Sequence, residues 1–497
     1  MLLDLFRRGL SCLLCGEPQL NEQLRGSCPR CGGSIVVDYD YESIRRELTR
    51  EKLGMRPPGV WKYQELLPIA NTSNIVSLGE GGTYLHRAQR VADKIGLRKL
   101  FIKDETTNPT GSFIDRGVTV EVSRAKELGY RSTVCGTTGN LGASLAAYSA
   151  KAGLKCRIFL PRRIDLGKFY QIITYGADIE TARDYEEALS KAGKLEDRSY
   201  LASPGDAFFL EGLKTTGYEI CEQFGWRTPR NIIIPMGDGG NLSMVWRGIR
   251  ELVKIGLLDR TDVRMIGVQA QGAAPIVKAF LGKELLVKPL EKSRTFAADI
   301  DMKKPLHGNL AVQAIAESKG LATAVSDSSI LNSASLLAKT EGIFAEPAAA
   351  STIAALLRLA ENGEIDRDEE TVCVLTGTGL KDVSSARRTI KGGKRVERLF
   401  ERVGEHTIAT GITGTKLHIL EIFSEKESYG YGLWKKLRSH FNLDLSLPSV
   451  YQHLNELETM KLIERVRIVG KPGNRQRYYY ALTEKGKVIL KKSALTR

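Results

Sequence analysis

Six short runs of apolar and β-branched residues recur through the middle of the chain, at Leu100–Lys103, Thr133–Cys135, Arg157–Leu160, Asn231–Pro235, Val263–Val268 and Thr371–Leu375. Amphipathic stretches such as Val118–Gly129 and Leu141–Ala152 lie between them. Strands that alternate with helices bury both faces by pairing in parallel under helices, so the pattern predicts an α/β fold of doubly wound parallel sheets. Ligands of such sheets bind where strand ends meet helix N-termini. Three loops in those places are rich in glycine and small polar residues: Gly136-Thr137-Thr138-Gly139-Asn140-Leu141-Gly142, Pro235-Met236-Gly237-Asp238-Gly239-Gly240-Asn241 and Thr376-Gly377-Thr378-Gly379. Glycine lets backbone approach an anion closely, and unpaired N–H groups at a helix start favour phosphate or carboxylate. One such loop is weak evidence, but three after strands predict a site for a phosphorylated or carboxylated small molecule. None matches a P-loop or a GxGxxG fingerprint.

A chain of 497 residues exceeds what one core supports, so several domains are expected. The formal net charge is +15. Residues 383–497 carry 23 of the 73 basic and 11 of the 58 acidic side chains, hence +12 of that excess. A nearly neutral body with a basic end predicts a separate nucleic-acid-binding module. A solvated basic tail would lack apolar periodicity, and this segment has it. Residues 386–410 read as a flexible basic joint followed by one short helix. From 411 onward, Leu417, Ile419, Leu420 and Phe423 mark a first helix, and Tyr429–Phe441 a second with Leu433 and Leu437 inward. Pro448 suits the first position of a third, on which Val450, Leu454 and Leu457 form the buried stripe. Ser449, Gln452, His453 and Glu456 then face away, with Tyr451 and Asn455 on the flanks. Leu462–Val469 and Arg475–Leu482 alternate as two strands around a Gly-Lys-Pro-Gly-Asn turn, and a last helix follows Thr483. Three helices and a basic wing predict double-stranded DNA as partner. Ser449, Tyr451, Gln452 and Asn455 are expected to read the groove, and Arg465, Arg467, Lys471, Arg475 and Arg477 to meet phosphates. The competing reading is a winged helix used for protein contacts, its wing a solvated hairpin.

Near the N-terminus, Cys12-Leu-Leu-Cys15-Gly and Cys28-Pro-Arg-Cys31-Gly-Gly form two knuckles. Two CxxC turns supply four thiolates to one ion, which predicts a structural zinc ribbon closed to catalysis. Four unligated thiols is the alternative. Cys135, Cys156, Cys221 and Cys373 are expected in the core. No run reaches the roughly 18 apolar residues of a membrane span, and the start lacks the order of a signal peptide. A cytoplasmic protein without membrane association is therefore expected.

Asn108-Pro-Thr-Gly-Ser-Phe113 followed by Asp115-Arg116-Gly117 resembles the signature of threonine synthase and its pyridoxal-phosphate relatives of fold type II. The resemblance covers roughly residues 10–385. It implies a body of two doubly wound parallel-sheet subdomains. It also implies that Gly237, Gly239, Gly240 and Asn241 cradle a cofactor phosphate, with Asp238 among the cofactor- or ligand-binding residues, that Asn140 meets the ring hydroxyl, that Thr376 faces the pyridine nitrogen, and that Thr137, Thr138 and Gly139 hold a substrate carboxylate. One position departs. Where the family carries the Schiff-base lysine, this chain has Ile114, which has neither nucleophile nor base. Lys103 and Lys168 match family lysines at other positions and are poor substitutes. Ordinary turnover is therefore expected to be lost, with no catalytic residue named and any pyridoxal phosphate held noncovalently. Over about 411–497, Tyr-Gly-Tyr-Gly-Leu, Pro-Ser-Val-Tyr and Arg-Tyr-Tyr-Tyr-Ala-Leu-Thr resemble PadR-like winged-helix repressors.

Together these readings divide the chain into a zinc-ribbon-like segment (1–40), a threonine synthase-like α/β body (41–385), a basic linker (386–410) and a winged helix (411–497). They predict a transcription regulator, expected as a homodimer. Its degenerate body would sense an amino acid, a phosphorylated homoserine-like metabolite or pyridoxal phosphate. The alternatives are an active pyridoxal-phosphate enzyme with an accessory DNA-binding domain, and a noncatalytic partner subunit of an active synthase.

Overall fold

A computed structural model describes residues 6–19, 28–162, 164–284, 286–382, 385, 415–441, 443, 445–469 and 477–494. They fall into two compact units, one within Met1–Ile390 and one within Lys391–Arg497. The first unit begins with an antiparallel sheet of β1 (Arg7–Cys12), β2 (Pro18–Gln19) and β3 (Ile35–Tyr39), ordered β2-β1-β3. This is the ribbon that carries the cysteine knuckles.

Two further sheets make the body. A six-stranded sheet has the order β12-β11-β10-β13-β5-β4, with β4 Leu85–Arg87, β5 Leu100–Asp104, β10 Asn231–Pro235, β11 Arg264–Ala270, β12 Leu321–Val325 and β13 Thr371–Leu375. A four-stranded sheet has the order β8-β7-β6-β9, with β6 Ser132–Gly136, β7 Lys155–Pro161, β8 Asp178–Ala182 and β9 Tyr200–Leu201. All pairings are parallel except β4 with β5. β10 and β13 are buried along their whole length, as continuous apolar runs in a parallel sheet require. The expected α/β architecture of two parallel-sheet subdomains is present, with one antiparallel edge strand that the alternation did not reveal.

Five helices position the ligand loops: α1 Ile114–Glu127, α2 Asn140–Ala152, α3 Gly240–Lys254, α4 Gly308–Glu317 and α5 Pro347–Glu361. α2 and α3 each follow a glycine at positive φ, Gly139 at 144° and Gly239 at 92°. Those conformations exclude most side chains and turn each strand end sharply into a helix whose N-terminus faces the loops. α1 begins four residues before Val118, because Asp115 and Arg116 are buried inside its first turn.

The second unit contains α6 Thr415–Glu425, α7 Gly430–Phe441, α8 Leu447–Thr459 and α9 Glu484–Ala494, with a sheet ordered β14-β16-β15 from β14 Ser428–Tyr429, β15 Ile463–Val469 and β16 Arg477–Leu482. Leu417, Leu433, Leu437, Val450, Leu454 and Leu457 share its core. Ser446 caps α8 by accepting from Ser449 N, so Leu447 is the first helical residue and Pro448 the second, one later than expected. The joint read at 386–410 lies outside the described residues. Among the described residues no helix is long and apolar enough to cross a membrane.

Candidate ligand cavity, cysteine cluster and nucleic-acid interface

The three glycine-rich loops converge on one cavity of about 190 Å³ in the body. Thr137, Thr138 and Asn140 contribute from the first, Gly237, Asp238, Gly239, Gly240 and Asn241 from the second, and Thr376 from the third. Ile114 lines it as the first residue of α1. That position is held because Phe113 N donates to Thr376 O at 2.9 Å and Ser112 bridges Gly377. Gly139 departs from expectation: it does not line the cavity. Its N–H donates to Thr137 Oγ1 at 3.0 Å, and the Lys168 stem lies against the face where a Cβ would stand.

No lysine or arginine is among the described residues that line the cavity, whereas Asp238, Asp299, Asp301 and Glu346 are. The nearby amines are engaged elsewhere. Lys168 Nζ lies 2.8 and 2.7 Å from the carboxylate oxygens of Asp299; burial favours loss of its proton, but the Asp299 and Glu346 charges outweigh that and raise its pKa. Lys103 is fully buried, donating to Glu219 at 2.7 Å and to Thr83 O at 2.8 Å. Lys381, whose pKa burial lowers to about 8, donates to Thr110 O at 2.8 Å and Gln171 at 3.1 Å.

Asp115 and Arg116 explain themselves structurally. Asp115 accepts from Thr110 N, Thr110 Oγ1 and Ser144 Oγ at 2.7, 2.7 and 2.6 Å. The wholly buried Arg116 guanidinium spans Glu105 and Glu219 at 2.6–2.8 Å. A buried arginine held by two carboxylates is costly to disrupt, which fixes the start of α1 whatever occupies position 114.

Asn140 Oδ1 and both amide atoms of Asn241 are buried with no hydrogen-bond partner. Buried polar groups rarely stay unpaired, so these atoms on the cavity wall are what a polar ligand would satisfy. The residues fit a phosphorylated ligand such as pyridoxal phosphate held without a covalent bond: a glycine cradle at the start of α3, and orphaned amides on two walls. The Asp238 carboxylate itself accepts from Gly240 N at 3.0 Å, so an incoming phosphate shares that N–H with a resident anion.

Sequence reasoning missed Asp299, Asp301, Glu346 and His307. Glu346 had a signal, since Pro347 marks a helix start and helix starts in this fold face the ligand. Burial and the charge of Asp299 push its pKa up to about 8.

In the ribbon, Cys12 and Cys31 Sγ lie 3.4 Å apart, Cys15 and Cys28 Sγ 3.8 Å, and all four fall within 4.8 Å of one another. A tetrahedral zinc with bonds of about 2.3 Å separates its sulfurs by about 3.8 Å, so the four thiols could hold a metal of that kind.

On the C-terminal unit, α8 buries Val450, Leu454 and Leu457 as predicted. Its exposed face is centred differently. Tyr451, Gln452 and Asn455 are exposed, whereas Ser449, His453 and Glu456 are half-buried. Glu456 pairs with Lys416 at 2.8 Å, which removes it as a bare charge toward a polyanion. Arg465 pairs with Glu458 at 2.9 Å and stacks over Tyr478, and Arg467 pairs with Glu427 at 2.6 Å over Tyr479. Arg477 stacks over Tyr429. Lys471 and Arg475 lie outside the described residues.

With this cavity and two parallel sheets, the chain belongs to the family of pyridoxal-phosphate dependent enzymes, whose profile matches residues 76–377. Its body is threonine synthase-like. It is 43% identical over 390 residues to the threonine synthase of Methanocaldococcus jannaschii, covering 78% of this chain and 96% of that protein. It is 38% identical to the threonine synthase of Halalkalibacterium halodurans, covering 66% and 91%. The fold also matches a processed threonine deaminase isoform from Solanum lycopersicum (TM-score 0.56, 19% identity, 68% of this chain and 95% of that one) and a serine ammonia-lyase from Rhizomucor miehei (0.55, 21%, 62% and 96%). Residues 419–492 match the transcriptional regulator PadR-like family.

Proposed function

We propose that this protein is a transcription regulator in which the threonine synthase-like body senses a small ligand and controls DNA binding by the winged helix. The observation that carries the reading is a cavity lined from all three glycine-rich loops but with Ile114 where the resemblance calls for the Schiff-base lysine, on the same chain as a PadR-like domain. Pyridoxal phosphate, when bound by such a fold, supplies an electron sink for chemistry at amino-acid carbons. Here Gly237–Asn241 would hold its phosphate and Asn140 and Thr376 would orient its ring. Ile114 offers no group to attach it or to move a proton. An amino acid or a phosphorylated homoserine-like metabolite would use the same loops, its carboxylate at Thr137 and Thr138.

In the output domain, Tyr451, Gln452 and Asn455 are presented for base edges, with Ser449 beside them. Arg465, Arg467 and Arg477, together with Lys471 and Arg475, serve the phosphates. Zinc in the four-cysteine ribbon is structural. Binding as a homodimer to a two-fold-symmetric site follows from the usual matching of protein and operator symmetry. The division into ribbon (1–40), body (41–385), linker (386–410) and winged helix (411–497), in a cytoplasmic protein, belongs to the same proposal.

The test is fluorescence anisotropy with DNA from the gene's own upstream region, with and without L-threonine, O-phosphohomoserine and pyridoxal phosphate. A specific complex whose affinity shifts with one of these ligands is expected. Affinity no greater than salt-sensitive nonspecific binding, unmoved by any of them, sinks the proposal.

The identity to working threonine synthases favours a second reading, an active enzyme with an accessory DNA-binding domain. It requires another amine; Lys381 has its pKa lowered to about 8, but it does not line the cavity. Borohydride reduction and peptide mapping decide: a pyridoxyl-modified lysine establishes the second reading, and an unmodified protein excludes it.

A further inference from the structure

Ser34 is strung between the two cysteine knuckles. Leu13 N, in the first, donates to Ser34 O at 3.0 Å, and Cys28 N, opening the second, donates to Gly33 O at 2.7 Å. The Ser34 side chain leaves the ribbon: its Oγ lies 2.5 Å from Nδ1 of His307, with both residues buried. His307 Nε2 lies 3.0 Å from Pro204 O. A carbonyl can only accept, so Nε2 carries a hydrogen and donates to it, and in the neutral ring Nδ1 then accepts from the serine hydroxyl.

His307 in turn supports the phosphate loop on three sides. Its backbone N–H donates to Asp238 O at 2.9 Å. Its carbonyl oxygen lies 2.9 Å from where a Cβ on Gly239 would stand, and its Cδ2 lies 2.9 Å from the same point on Gly240. Pro204, its other partner, lines the cavity. Neither Ser34 nor His307 lines the cavity, so each acts through the loop that does.

We propose that Ser34 and His307 form a positioning brace through which metal binding at the four cysteines sets the order of the Gly237–Asn241 loop, and hence the cavity's affinity for an anionic ligand. The inference rests on reading the cysteine cluster as a metal site and the cavity as a ligand site. The physical link is direct. Four thiols hold one geometry only when an ion gathers them, so metal binding is folding free energy for the ribbon. Both knuckles fix the backbone around Ser34, and one buried hydrogen bond carries that order to His307. Coupling of this kind is reciprocal: a ligand that orders the loop tightens the metal.

The experiment is amide hydrogen–deuterium exchange on the full-length protein without ligand, with zinc content measured by atomic spectroscopy. Four samples are compared: zinc-loaded wild type, wild type stripped by a strong chelator, and zinc-loaded S34A and S34T. Exchange over residues 236–242 is expected to rise about two- to ten-fold on stripping and by a similar factor in loaded S34A, the range of one net hydrogen bond. S34T, which keeps the hydroxyl, should return toward wild type. Zinc near one per chain in S34A shows that the loop loosened without loss of the metal. Unchanged exchange over 236–242 in S34A overturns the brace. Loosening in S34A without loosening on stripping overturns the link to the metal. A protein that takes up no zinc refutes the metal reading and with it the coupling, while the S34A comparison still decides the brace.

Discussion

Ile114 is the first residue of a helix whose next two residues, Asp115 and Arg116, are locked into buried hydrogen bonds and ion pairs. The local backbone therefore stays in place when the side chain at 114 changes. I114K is expected to fold, with an amine facing the cavity. Incubated with pyridoxal phosphate and borohydride, I114K should acquire a covalent pyridoxyl label at that position, found by peptide mass, whereas wild type should not. Glu346 gives a second residue-scale outcome. Its carboxyl has a pKa near 8 in the fold, against 4.5 for the free group, because burial and Asp299 disfavour its charge. The folded state then binds more protons between those values, so this group's contribution is fully present below about pH 4.5 and is lost as pH rises toward 8. E346Q should flatten the decline of unfolding free energy over that window, measured by urea titration at several pH values. An unchanged slope would place the proton elsewhere. Ile114 was legible directly from the sequence. Glu346 was not, because its titration depends on Asp299 and Lys168, which lie far away in the chain.

At the scale of elements, α8 shows what periodicity can and cannot supply. Val450, Leu454 and Leu457 are spaced to one face, and all three are fully buried. L454A should cost about 2–5 kcal/mol of winged-helix stability through lost burial and the cavity left behind, read as a lower melting temperature of the C-terminal transition. The opposite face was read less well. Glu456 and His453 counted as outward by helical spacing, yet both are half-buried and α6 supplies Lys416 to Glu456. Which polar residues stay exposed depends on the neighbouring helix, not on the stripe alone. N455A and Q452A should therefore weaken specific DNA binding by about 1–3 kcal/mol each while leaving the salt dependence nearly unchanged. R467A should weaken binding to all sequences and shallow the salt slope, in the same anisotropy titrations. A solvated, noncontacting wing would show neither effect.

At the scale of the whole molecule, the distribution of charge was informative because the two ends of the chain match different families: the excess of +12 lies in residues 383–497, and a PadR-like match falls within them. If the body governs the winged helix, linkage requires symmetry. The factor by which a ligand changes DNA affinity must equal the factor by which DNA changes ligand affinity, and calorimetric titration of the ligand with and without operator DNA measures it. The sequence by itself determined the α/β class, the parallel sheets, the winged-helix stripe, the paired cysteine knuckles and the isoleucine at 114. All of these are written in nearest-neighbour spacing, since hydrophobic period and motif register are properties of local chain. Only the tertiary structure decided that the three glycine loops share one cavity, that no lysine or arginine is among the described residues lining it, that the Asp238 carboxylate accepts from Gly240 N, and that Ser34 of the ribbon reaches His307 273 positions away. Contacts between distant segments depend on how sheets and helices pack, and a pattern of local period does not encode which loop ends meet.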